Sequence, residues 1–162
     1  MHPLVSKDFE SKPCNCSGPG PCKYNGQCRQ KLIIYQVTCN NTGKMYLGST
    51  QNTLKERMNG HMQDVRNKIV HDRGSDSFAK HFATQLPIYH PQLFREALTC
   101  SIIWQGNAHS VVKSFGTPNC LLCSKERLAI IKLARQSPHL LINTNFEIYS
   151  SCKHKPKFHW YN

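Results

Sequence analysis

Four thiols lie within fifteen residues, Cys14, Cys16, Cys22 and Cys28, spaced C-x-C-x5-C-x5-C. Four thiolates are the ligand set of a closed tetrahedral zinc site. The residues around them include Pro13, Gly18, Pro19, Gly20, Pro21 and Gly26 and lack any apolar periodicity, so this segment cannot build a core of its own. A zinc knuckle is expected here, the alternative being a loop whose cysteines are individually unimportant. Glu126 is a second chemical signal, because it interrupts an apolar stripe of Leu122, Ala129, Ile130 and Leu133. A carboxylate on such a face calls for a cation or a metal, unless it lies at the stripe's edge and pairs with Arg127 or Lys132. Arg57 and His61, four residues apart, can set a permanent cation beside a titratable imidazole. Tyr35 and Tyr46 offer two phenols that, taken alone, read as half-buried core tyrosines. Cys120 and Cys123 form a C-x2-C pair that would need two more zinc ligands, such as Cys100 and His109, and the adjacent Leu121 and Leu122 favour ordinary buried thiols.

The elements that must carry these residues are legible from period and punctuation. Leu32 to Cys39 is rich in β-branched and aromatic residues, Asn40-Asn41-Thr42-Gly43 is a turn, and Lys44 to Gly48 follows, which predicts a β-hairpin. Thr53-Leu54-Lys55-Glu56 has the form of a capping box, and Leu54, Met58, His61, Met62, Val65 and Ile69 recur at helical spacing. A helix is expected from about Leu54 to Ile69, with His61 on its apolar stripe. A shorter helix through Phe78, Ala79, Phe82 and Leu86 ends at Pro87, and Leu98 to Trp104 reads as a third strand. Asn119 is expected to cap the helix bearing Glu126, which Pro138 stops before an extended run from Leu140 to Asn143. The fold class is therefore α+β, with a three-stranded antiparallel sheet flanked by helices. The expected organisation is a cysteine-rich knuckle over residues 1–30, a main domain over 31–150, and a basic aromatic tail over 151–162.

With 162 residues and 39% hydrophobic content, the chain is long enough to bury a self-sufficient core as one domain. No apolar run approaches the ~18 residues of a membrane span, so no membrane role is expected. The first ten residues show no secretory signal, which favours an intracellular protein and makes a disulfide-bonded secreted one the weakest reading. Twenty-one Lys and Arg against nine Asp and Glu give a formal charge of +12, the footprint of a protein whose partner is a polyanion, with nucleic acid foremost.

In combination these signals are more specific than any one of them. Ile33-Ile34-Tyr35, Tyr46-Leu47-Gly48, Arg57, His61, Glu126 and a following asparagine stand in the order found in GIY-YIG endonucleases, and the chain resembles that superfamily over residues 32–145. Ile33 stands for the family's first glycine and Leu47 for its isoleucine, both at apolar strand positions. Cys14-Asn15-Cys16, Cys22, Cys28, Phe115-Gly116-Thr117, Cys120-Leu121-Leu122-Cys123 and Glu126-Arg127 are similar to the endonuclease domain of Penelope-like retroelements.

The resemblance implies metal-dependent hydrolysis of phosphodiester bonds in DNA. Glu126 would bind the catalytic divalent ion, magnesium or manganese. Tyr35 would serve as base or orient the attacking water, Tyr46 would hydrogen-bond nucleophile or phosphate, and Arg57 would contact phosphate oxygens. His61 is a candidate for water activation or phosphate contact, and Asn143, with Asn145 as competitor, for bracing the site. Lys80, His81, Lys153, Lys155, Lys157 and Trp160 are candidate DNA contacts. A reverse transcriptase domain or protein is a possible partner and a nuclear location is implied, while the oligomeric state is open. A non-catalytic, zinc-stapled nucleic-acid binder is the competing expectation.

Overall fold

The computed structural model describes residues 14–16, 20–74, 76–107, 111–114, 117–149, 151–152 and 154, with the backbone alone at 111–114, 117–119 and 146. Its elements run β1 (Ile33–Cys39), β2 (Met45–Thr50), α1 (Leu54–His71), α2 (Ser77–Gln85), α3 (Pro91–Glu96), β3 (Leu98–Gln105), β4 (Val111–Ser114), β5 (Thr117–Cys120), α4 (Leu121–Gln136) and α5 (Asn145–Tyr149), with a 3-10 turn at Pro138–Leu140. The three-stranded sheet has the order β2-β1-β3 and both pairings are antiparallel. A separate antiparallel hairpin joins β4 to β5.

β1 is central, and its alternation sorts its side chains onto two faces. Ile33, Tyr35, Val37 and Cys39 point into the larger core, with Leu54, Met58 and Val65 of α1, Phe78 and Phe82 of α2, and Phe94 of α3. Ile34 points the other way, into a smaller cluster with Leu32, Cys120 and Leu122. Gln36 and Thr38, on that second face but farther along, are only half-buried.

α1 starts where the sequence predicts. Thr53 accepts from the Glu56 N–H at 3.2 Å, while Glu56 accepts from the Thr53 N–H at 2.9 Å. It runs two residues past the expected end and closes on Asp72 in the left-handed region. The knuckle segment is fastened to this same helix end. The carbonyls of Gln30 and Cys28 accept from the N–H groups of Leu54 and Lys55, both at 2.9 Å, satisfying donors that a helix N-terminus leaves orphaned.

The edge strand β2 is covered by the segment after α4. Ile142 N–H donates to the Met45 carbonyl at 2.8 Å, and Leu141 bridges Met45 in parallel. Two features depart from the sequence expectation. α4 is capped by Cys120, whose Sγ accepts from the Cys123 N–H at 3.3 Å, and not by Asn119, which is drawn into β5 opposite Val112. α3 and the β4–β5 hairpin are additional elements; Pro91 begins α3 behind a His90 cap, a Pro-at-N1 signal that was available. Among the described residues no helix is long and apolar enough to cross a membrane.

Candidate active site

The strand register determines which tyrosine meets which neighbour. Tyr35 lies opposite Gly48, and Tyr46 opposite Val37, so both phenols stand on the face covered by α1. Gly48 is required by close approach. A Cβ there would lie 2.6 Å from Tyr35 Cζ and 2.9 Å from Tyr46 Cε1, and would overlap the Tyr35 hydroxyl. The bare backbone of Gly48 thus makes the slot in which the Tyr35 ring sits.

Around that hydroxyl, α1 places two of its side chains. Arg57 Nε donates to Tyr35 Oη at 3.0 Å, and Tyr35 Oη lies 2.7 Å from His61 Nε2. A phenol that accepts from Arg57 directs its own hydrogen at His61, which makes Nε2 the acceptor and leaves the ring hydrogen on Nδ1. His61 Nδ1 is buried and has no hydrogen-bond partner among the described residues. The imidazole stacks on Phe78, with ring centroids 3.9 Å apart, and Tyr46 meets both rings edge-on. Burial, more than the nearby Arg57, holds His61 well below the usual imidazole range and keeps it neutral. Burial likewise raises both phenols above their ordinary range, with Arg57 opposing the shift.

Residue 49 points to the other face of the sheet, towards α4. Ser49 Oγ donates to Glu126 Oε2 at 2.5 Å, and the same hydroxyl lies 3.3 Å from His154 Nε2. Burial raises the Glu126 carboxyl above its usual range, partly offset by the Ser49 hydroxyl, Arg57 and Arg127. The two faces meet around the edge of β2 in a pocket of about 870 Å³ whose walls include Tyr46, Ser49, Arg57, Lys80, Glu126 and Arg127. A half-buried carboxylate with raised proton affinity, open to a polar pocket that also holds Asp76 and Glu147, suits a divalent cation.

Asn143 is nearly fully buried, and it accepts from the Leu47 N–H and donates to the Leu47 carbonyl, both at 2.8 Å. It pins β2 between Tyr46 and Gly48. Asn145 is exposed at the start of α5. Lys80 reaches the pocket wall, whereas His81 packs on Phe82 and lies 3.4 Å from Thr42 Oγ1. Lys153, Lys155, Lys157 and Trp160 lie outside the described residues.

The N-terminal thiols converge. One donor atom from each of Cys14, Cys16, Cys22 and Cys28 lies within 4.8 Å of every other, with Cys28 to Cys14 at 3.4 Å and Cys16 to Cys22 at 4.0 Å. Zn–S bonds of about 2.3 Å imply sulfur–sulfur edges of about 3.8 Å, which these distances bracket. The C-x2-C pair has different neighbours from those expected. Cys100 is buried in β3 with the main core, and His109 lies outside the described residues; Cys152 and His154 stand beside Cys120 and Cys123. Ser49 and His154 are the residues sequence reasoning missed at the site. A serine after a strand glycine carries no period or motif, and only the fold brings either residue to Glu126.

The family model described as GIY-YIG catalytic domain matches residues 31–97. That span holds Tyr35, Tyr46, Arg57 and His61 and ends before Glu126 and Asn143. A GIY-YIG domain supports an endonuclease in general and implies DNA as its substrate. No curated protein and no solved structure gives a significant match to the chain.

Proposed function

We propose that this protein is a metal-dependent endonuclease that nicks or cleaves duplex DNA, of the type found in Penelope-like retroelements. The observation that carries the reading is the Arg57–Tyr35–His61 hydrogen-bonded chain, whose tyrosine and histidine are buried behind Arg57, itself a wall of the pocket that also holds Glu126. Tyr35 can serve as base only after losing its proton, and neutral His61 Nε2, at 2.7 Å, is placed to take it. Burial and Arg57 both disfavour a charged His61 in the free protein. A DNA phosphate in the pocket supplies the missing negative charge, which couples activation of Tyr35 to substrate binding. Arg57 keeps a fixed charge beside Tyr35, and its terminal nitrogens suit two oxygens of a pentavalent phosphate.

Glu126 would hold magnesium or manganese, which supplies Lewis-acid stabilisation of charge on the phosphate and leaving oxygen. Tyr46 hydrogen-bonds nucleophile or phosphate, and Asn143 acts through Leu47 as a positioning residue. Zinc in the Cys14, Cys16, Cys22 and Cys28 knuckle would hold the loop that caps α1 and hence the helix carrying Arg57 and His61. The +12 charge draws the protein to DNA. A reverse transcriptase partner and a nuclear location belong to the same retroelement reading.

Nicking of supercoiled plasmid with magnesium or manganese tests it. The expected outcome is nicking by the wild type that is lost in EDTA and in Glu126→Ala. Undiminished activity in Glu126→Ala overturns the site assignment, and DNA binding without strand breaks under any divalent ion establishes the binding module instead.

A further inference from the structure

We propose that Cys120, Cys123, Cys152 and His154 form a second zinc site, and that its histidine holds Ser49 and, through it, Glu126. The four donor atoms all lie within 4.8 Å of one another. His154 Nδ1 stands 3.1 Å from Cys123 Sγ, 3.3 Å from Cys120 Sγ and 3.8 Å from Cys152 Sγ. Zn–S bonds of about 2.3 Å and a Zn–N bond of about 2.0 Å at the tetrahedral angle give nitrogen–sulfur edges of about 3.5 Å, inside that spread. The three cysteines are free thiols; Cys120 is buried in the smaller core cluster, Cys123 and Cys152 pack half-buried against it, and Cys123 and His154 reach the pocket wall. The Cys123 N–H donates to Cys120 Sγ at 3.3 Å where α4 begins, which fixes the position of that sulfur.

The orientation of the imidazole gives the site its second role. Nδ1 faces the three sulfurs, while Nε2 faces Ser49 Oγ at 3.3 Å. A histidine that ligates through one nitrogen carries its hydrogen on the other and donates it to an outer partner. Ser49 accepts that hydrogen and spends its own on Glu126 Oε2 at 2.5 Å, so every donor in the chain has one acceptor. His154 and Ser49 are thus positioning residues that aim the Glu126 carboxylate into the pocket. The metal site stands independently of the nuclease reading, whereas its effect on cleavage rests on that reading.

Exchange of bound metal for ¹¹³Cd in the full-length protein, followed by NMR, tests the site without relying on a variant. The expected spectrum contains a resonance in the three-sulfur, one-nitrogen range, coupled to Nδ1 of one histidine that keeps a proton on Nε2. His154→Ala should remove that resonance while the all-sulfur resonance of the N-terminal knuckle persists, which shows that the variant is folded. Absence of a three-sulfur, one-nitrogen resonance overturns the site, and coupling through Nε2 overturns the link to Ser49. His154→Cys should retain the second cadmium in an all-sulfur site yet lower plasmid nicking about 10–100-fold, the usual range for a lost outer-shell contact. Wild-type nicking in that variant also overturns the link. A wild type that never nicks refutes the nuclease reading, and the cadmium spectrum still decides the site.

Discussion

The two sides of β2 contribute to one pocket and are built on opposite principles. On the α1 side, Tyr35, Tyr46, His61 and Phe78 are closely packed, and each functional atom is placed by rings in contact. On the α4 side, Glu126 accepts from the Ser49 hydroxyl, and that hydroxyl is reached by His154 from beyond α5. The first side derives its geometry from core packing, so damage there should disturb stability and chemistry together. The second derives it from a chain of polar contacts, so damage there should fall on chemistry alone.

The largest effect is expected at Arg57, which serves both sides. It bonds Tyr35 from the packed face and lines the pocket with Glu126. Arg57→Ala should lower single-turnover nicking about 10²–10³-fold, the range for losing one preorganised donor to a developing charge. Arg57→Lys should recover only part of this, because an ammonium cannot bond Tyr35 and present a fork at once. Full recovery by lysine would reduce Arg57 to a bare charge and separate it from the packed side.

Gly48→Ala sharpens the claim about packing. The added methyl meets the Tyr35 ring inside contact distance, and a fully buried ring has no free space into which to retreat. A stability loss of about 1–3 kcal/mol is expected from overpacking, read as a fall in the urea midpoint, with nicking reduced as Tyr35 shifts from His61 and Arg57. An alanine variant as stable as the wild type would show that the slot is looser than the contacts imply.

Legibility from sequence divides along the same line. The hairpin, α1, α2 and β3 are visible as periodicity and caps, because each buries one regular face. The N-terminal thiols are visible because all four lie in one short segment. Glu126 stands out only as a break in an apolar stripe, with no indication of what it faces. Ser49 and His154 are 105 residues apart and are joined only by the fold. The C-x2-C spacing of Cys120 and Cys123 permits a metal pair while Leu121 and Leu122 favour ordinary buried thiols, and Cys152 and His154 arrive beside them from beyond α5, which no local spacing encodes. Asn119 is the expected cap by residue type, yet pairing within the β4–β5 hairpin claims it and leaves the role to Cys120.

A pH series tests how dry the packed side is. His61 in the folded protein binds a proton far less readily than in the unfolded chain, where its pKa is about 6.5. Below that value the unfolded state takes up more protons, so folding stability falls as pH falls, by at most about 1.4 kcal/mol per unit from this residue. Urea midpoints at pH 7.5, 6.5 and 5.5 should therefore decline more steeply for the wild type than for His61→Phe. Contributions common to both proteins cancel in the comparison. Equal slopes would mean that His61 is protonated in place and that the stack on Phe78 admits water.

The smallest effect on stability is expected at Glu126, and its sign separates the two sides most clearly. Burial raises the carboxyl's pKa in the folded state, so above the ordinary carboxylate range the folded protein carries an ion that the unfolded chain holds at less cost. Glu126→Gln keeps the shape and still accepts from the Ser49 hydroxyl, but has no charge to desolvate. Without added magnesium or manganese, the glutamine variant should be at least as stable as the wild type at neutral pH while nicking no DNA. Its advantage should fade as pH falls and the wild-type carboxyl takes up its proton. A variant less stable than the wild type would place Glu126 among the residues that hold the fold together, and the contrast between a packed side and a poised side of β2 would fail.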